Sequence, residues 1–241
     1  MYIFSSKASR TFASEVGRAS SVFVVMLLIA LVIGCGQGEY DRRARLAQKS
    51  QMSAAENSLN EVAIPIADTG YQIRLPGLFD GESESWNEYN DPFAKLPGFL
   101  FGYDRMFENP AGDILPAVVY FLATEVAGND TFSYSADLLT NIRQRCRSGG
   151  ATDWEDVQLA RSENTPLAMK KSEILGNQPF DASHAGGIGR NRLGVASIYL
   201  YPTDSHFLVV IWRIPTEIAK EKRFLQAAEA AMSSLTLVNS Q

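Results

Sequence analysis

The chain is poor in the residues that carry most site chemistry. Its 241 residues include two cysteines and two histidines. With only Cys35 and Cys146 available, at most one intramolecular disulfide is possible, and none if Cys35 is otherwise modified, so that the fold must then stand on packing. His184 and His206 show neither H-x-x-x-H nor H-E-x-x-H spacing and have no cysteine beside them, which argues against a zinc centre. Calcium-loop spacing, a P-loop and a G-x-S-x-G nucleophile elbow are also missing, and nothing calls for a cofactor. Paired carboxylates for glycoside chemistry stay open, because distant Asp and Glu converge in space without a spacing signal. Basic charge is scarce as well. With 22 Lys and Arg against 27 Asp and Glu, a net charge of −5 and no long basic cluster, nucleic acid is excluded as an expected partner.

What is present begins with a basic leader. Lys7, Arg10 and Arg18 outweigh Glu15 ahead of the apolar run Val22 to Ile33. At about twelve residues that run falls short of the ~20 needed to span a bilayer as a helix and has the length of a signal h-region. It ends in Val32-Ile33-Gly34-Cys35, which resembles the bacterial lipobox. The resemblance implies a diacylglycerol thioether on Cys35, cleavage after Gly34 and acylation of the new amine. Multiple acyl chains would make the anchor firm, since one alone holds only marginally. An uncleaved anchor, lengthened by the small residues on either side, and ordinary secretion are the other readings of the same run. Gly36, where an aspartate often retains a lipoprotein at the inner membrane, leans towards the outer membrane.

On this reading residues 1–34 are a signal peptide and 35–61 a lipidated cysteine with a polar tether too poor in apolar residues to order itself. Residues 62–241 form one α/β (α+β) domain. "YQIRLP" alternates Tyr71, Ile73 and Leu75 against polar neighbours, a half-buried strand closed by Pro76. An acidic and aromatic stretch follows, with Glu82, Glu84, Trp86, Glu88, Tyr89 and Asp91, read as a solvated loop or a protein-contact loop within an insertion around residues 80 to 112. "LPAVVYFLATEVAG" is the best candidate for a central strand. "SYSADLLTNIRQRCRSGG" carries helix signals: Ser135 as cap, Leu138, Leu139, Ile142 and Cys146 on one face, and Gly149 or Gly150 as the left-handed stop. Cys146 is then a small buried hydrophobe. From Pro166 the chain reads as β. Pro202 to Ser205 turn a hairpin, His206 stands at a strand edge, and a closing helix from Thr216 buries Phe224, Ala228, Ala231 and Leu235.

That order resembles the PsbP-like and Mog1-like α/β/α sandwich, in the early Tyr71-x-Ile73-x-Leu75-Pro76 strand, the mid-chain helix, the Tyr- and Val-rich hairpin and the closing "AAMSSLTL" helix. The resemblance implies a central, mostly antiparallel sheet flanked by helices, and a fold whose members act mostly by binding. No family residue is carried over, since the match is one of element order.

One loop stands out chemically. "HAGGIGRNR" offers His184, Gly186, Gly187 and Gly189, with Arg190 and Arg192 behind them. It reads either as a hairpin loop or as a loop whose backbone N–H groups and guanidinia contact a phosphate or carboxylate. The function expected is a membrane-anchored envelope lipoprotein acting as a binding or accessory domain towards another envelope protein. The alternative is a lipid-anchored hydrolase using scattered carboxylates and His184.

Overall fold

Tertiary organisation comes from a computed structural model that describes residues 59–79, 91–109, 111–126, 131–147, 153–160, 166–180, 191–219 and 223–238. All fall in the unit Ala54–Gln241. Strands β1 (Ile64–Ile66), β2 (Tyr71–Ile73), β3 (Phe99–Glu108) and β4 (Ile114–Glu125) precede helix α1 (Thr131–Cys146). Strands β5 (Glu155–Leu159), β6 (Leu167–Pro179), β7 (Asn191–Pro202) and β8 (His206–Pro215) follow, then helices α2 (Thr216–Ala219) and α3 (Phe224–Ser233) and strand β9 (Thr236–Leu237).

Six strands form one antiparallel sheet in the order β3-β4-β8-β7-β6-β5. Second and third in that order, both interior, lie β4 and β8, the two most continuously apolar runs. Their burial on both faces explains the absence of polar alternation. Val118, Tyr120, Leu122, Val209 and Ile211 face one core with Leu138, Leu139, Ile142 and Cys146 of α1. Val119, Phe121, Val210, Trp212 and Ile214 face the other, with Phe224, Ala228 and Ala231 of α3.

That second face is also covered by a small antiparallel sheet, β1-β2-β9, which contributes Ile66 and Ile73. The mostly antiparallel sheet expected from the sequence is present, but the expected helix-flanked α/β sandwich is corrected: the protein is more β-rich, with few helices among the described residues. "YQIRLP" belongs to the small sheet, because its three-residue strand pairs with β1 and β9. Leu59, buried and bridged to Pro76, enters the same core.

Other differences have local causes. Phe99 to Glu108, expected as part of an excursion, is an edge strand paired along β4; a register shift between Phe99 and Phe101, and Arg105 in the row of Phe101, Tyr103 and Phe107, break its alternation. Helix α1 begins at Thr131, so Ser135 is a buried helical residue and not the cap, its carbonyl accepting from the Trp154 indole at 3.0 Å. Arg147, at φ 47, takes the left-handed turn at the helix end, while Gly149 and Gly150 lie outside the described residues. The closing helix is two helices, with Arg223 at φ 50 opening α3. Its expected inward face, Phe224, Ala228, Ala231 and Leu235, is buried. The hairpin stands between β7 and β8, its turn held by Thr203 Oγ1 accepting from the His206 N–H at 2.8 Å. No helix among the described residues is long and apolar enough to cross a membrane.

Candidate functional site

Most of the residues singled out in the sequence lie outside the described ones: Cys35, His184, Gly186, Gly187, Gly189 and Arg190. Arg192 is described. It sits at the start of β7, where its guanidinium meets Asp113 at 3.5 Å and Glu217 at 3.7 Å. No group of His, Cys, Asp and Glu that could hold a metal ion occurs among the described residues.

The structure shows two polar clusters that the sequence reading did not identify. The first lies under α1. Arg213 and Asp91 are both fully buried and meet through two N–H···O contacts of 3.3 and 3.4 Å. Tyr120 donates to Asp91 at 2.7 Å, and the Phe93 N–H donates to it at 2.8 Å. The guanidinium carbon lies 4.7 Å from the Phe93 ring centroid, 5.4 Å from that of Tyr120 and 5.1 Å from that of Phe180, so its charge is met by aromatic faces as well as by the carboxylate. Burial pushes the Tyr120 phenol well above its ordinary pKa. For Arg213 burial works against the charge, and Asp91, Tyr120 and Cys146 together outweigh it, so its pKa is raised on balance. Arg145 of α1 donates to the carbonyls of Pro92 at 2.7 Å and Lys95 at 3.3 Å, tying the same segment to the helix. Asp91, expected on a solvated loop, is thus the buried peg that fastens this segment to the sheet. The role is structural, because each charged group faces inward to the other. Cys146 belongs to the same core, and its thiol is pushed up to about 12 by burial; a neutral buried thiol is inert.

The second cluster occupies the opposite face, and it is the candidate site. Ser197 of β7 stands directly between Glu173 of β6 and Trp212 of β8, and Tyr199 stands beside Lys171 in the next same-face row. Ser197, Tyr199 and Trp212 are fully buried. The Ser197 hydroxyl is near enough to act on the Tyr199 phenol. Yet the Ser197 Oγ, the Tyr199 hydroxyl and the Trp212 Nε1 complete no hydrogen bond among the described residues. A buried polar atom left so costs roughly 1–3 kcal/mol, and three in adjacent positions on one face call for an occupant.

Towards solvent the row becomes ionic. Lys171 Nζ contacts Glu229 of α3 at 2.8 Å and Glu173 at 3.1 Å, the carboxylates half-exposed, and lies 5.6 Å from the Tyr199 ring centroid. Burial opposes the Lys171 charge, but Tyr199 and the two glutamates raise its pKa on balance. Tyr199 is pushed up to about 12, chiefly by burial, so it stays a neutral hydroxyl. One same-face step towards the sheet end come Leu175 and Val195, then Leu193. Leu175 is 53% exposed and Leu193 45%. Thr216 of α2 donates to the Leu193 carbonyl at 3.1 Å, which sets that helix beside the patch. The arrangement therefore grades from buried hydroxyl and indole groups that complete no hydrogen bond among the described residues, through an ionic rim, to exposed aliphatic surface.

No protein-family model and no curated protein matches the chain. Among solved structures, the Ran-binding protein Mog1p of Saccharomyces cerevisiae is similar at 11% identity and a TM-score of 0.41, covering 76% of this chain and 98% of its own. Cyanobacterial PsbP from Synechocystis is similar at 10% identity and a TM-score of 0.34, over 75% and 92% respectively. At such scores the likeness bears on neither activity nor partners.

A faint signal for the second cluster did exist in the sequence. Lys171, Glu173, Ser197 and Tyr199 are the polar members of same-side positions that also carry Met169 and Tyr201. Nothing in either strand alone says that the two polar sets are neighbours.

Proposed function

We propose that this chain is a lipid-anchored envelope protein whose domain binds a ligand at the sheet face of Ser197, Tyr199 and Trp212. The observation that carries the binding role is that these three adjacent, fully buried side chains carry polar atoms that complete no hydrogen bond among the described residues, beside a half-exposed rim. The anchor rests on Val32-Ile33-Gly34-Cys35, with the lipid on Cys35 and residues 1–34 removed. An accessory role towards an envelope protein follows from such tethering. The hydrolase alternative depends on His184, which lies outside the described residues, and no observation favours it.

One preparation tests both parts. The full chain extracted from membranes is weighed intact under native conditions, and its N-terminal peptide is weighed after digestion, beside a Cys35→Ser variant. The expected result is a diacylglycerol-modified peptide beginning at Cys35, absent from the variant, and a non-covalent adduct on the native chain. An unmodified Cys35 removes the anchor. A native mass equal to the bare lipidated chain removes the bound ligand.

A further inference from the structure

The chemistry of the face narrows what it would take. Trp212 offers only an N–H donor, and the Ser197 and Tyr199 hydroxyls each donate and accept, so the buried end suits an oxygen acceptor. Among the described residues Lys171 is the one cation of the cluster, and it already serves two carboxylates, Glu229 and Glu173. These described rim groups sum to a net negative charge, which repels an anion crossing them and leaves no cation among them for a buried carboxylate to pair with. A neutral head avoids that cost. Beyond the rim the same sheet face continues as exposed Leu175 and Leu193 around half-buried Val195, a surface that gains by covering aliphatic chain at ~25 cal/mol per Å².

We infer that the ligand is an uncharged amphiphile, an ester, amide or alcohol of an acyl or alkyl chain. Its head oxygen accepts from Ser197, Tyr199 and Trp212, and its chain lies over Leu175, Val195 and Leu193. The inference rests on the binding role proposed above and adds the polarity and orientation of the ligand. It accounts for two features together: buried donors that complete no hydrogen bond among the described residues, and half-exposed aliphatic side chains along the same strand rows.

The test uses the full chain held in amphipol and two probes of equal chain length, 1-decanoylglycerol and decanoate, titrated at pH 8 with tryptophan fluorescence as readout. Saturable binding of 1-decanoylglycerol is expected, with decanoate at least about tenfold weaker because its carboxylate is ionised there. Replacing Ser197→Ala and Tyr199→Phe together removes two donors and is expected to weaken 1-decanoylglycerol roughly tenfold or more. Leu175→Glu, at an exposed position where folding is not at stake, is expected to weaken it too, with the melting temperature unchanged.

Equal or tighter binding of decanoate overturns the uncharged head. Affinity unmoved by both variants overturns the placement. If neither probe binds while the membrane-extracted chain carries an adduct of another class, the ligand class is wrong and the binding role stands. If neither binds and the extracted chain carries nothing, both fall.

Discussion

Removing the Asp91 carboxylate exposes how much of the fold hangs on one buried ion pair. In Asp91→Ala the Arg213 guanidinium remains fully buried, surrounded by the rings of Phe93, Tyr120 and Phe180 and without its counter-ion. The contacts at 3.3 and 3.4 Å are long for charge-assisted bonds, which cluster near 2.7–2.9 Å. The loss therefore comes less from the strength of the pair than from the stranded charge. Such a stranded charge costs about 3–5 kcal/mol, and the Tyr120 hydroxyl and Phe93 N–H lose an acceptor as well. Against a total stability of roughly 5–15 kcal/mol this is a large fraction. Urea unfolding of the full chain followed by far-ultraviolet circular dichroism measures it: with a slope of about 1–3 kcal/mol/M, a 4 kcal/mol loss lowers the midpoint by roughly 2 M. Arg213→Met in the Asp91→Ala background is expected to recover much of the loss, since it removes the stranded charge and keeps the volume. A loss below about 1 kcal/mol for Asp91→Ala, or a double variant no better than the single one, would refute the reasoning.

Further expectations follow from single positions. A methyl group at Gly194 would run into the Phe180 ring, so Gly194→Ala is expected to cost about 1–3 kcal/mol by the same unfolding assay. Gly in place of Arg147, whose φ is 47, is expected to raise stability by several tenths to about 1 kcal/mol, because only Gly takes that conformation without strain; a loss would show that the Arg147 side chain contributes more than the strain. Cys146 and Tyr199 keep their protons in the folded state up to about pH 12, against ordinary values of 9.0 and 10.0. Their contribution is intact below pH 9 and falls as pH rises towards 12, because the unfolded chain then releases protons that the folded chain retains. Each group steepens the decline by up to about 1.4 kcal/mol per pH unit. Cys146→Ala is expected to flatten the part that begins near pH 9, read from urea midpoints at pH 7, 9 and 10.

What the amino-acid order determined by itself was local. Val118 to Leu122 and Phe207 to Ile211 are apolar at every position, which suits β4 and β8 to interior places in the sheet, buried on both faces. Leu138, Leu139, Ile142 and Cys146 recur at helical spacing and define the inward face of α1, and the Pro202 to Ser205 turn names its own hairpin. The solved structures found to be similar are of the same two kinds that this order of elements resembles. Weaker patterns stayed hidden: β9 has two residues, too few for a period, and β3 alternates poorly because it is an edge. The polar clusters were decided by tertiary structure alone. Asp91 meets Arg213 across 122 positions of sequence, and Glu229 reaches Lys171 across 58. Ser197 becomes the neighbour of Trp212 only through the β7–β8 register. Periodicity records which way a side chain faces and not what it will face, since partners so distant are brought together by strand pairing and helix docking, and neither leaves a mark at fixed spacing in the chain.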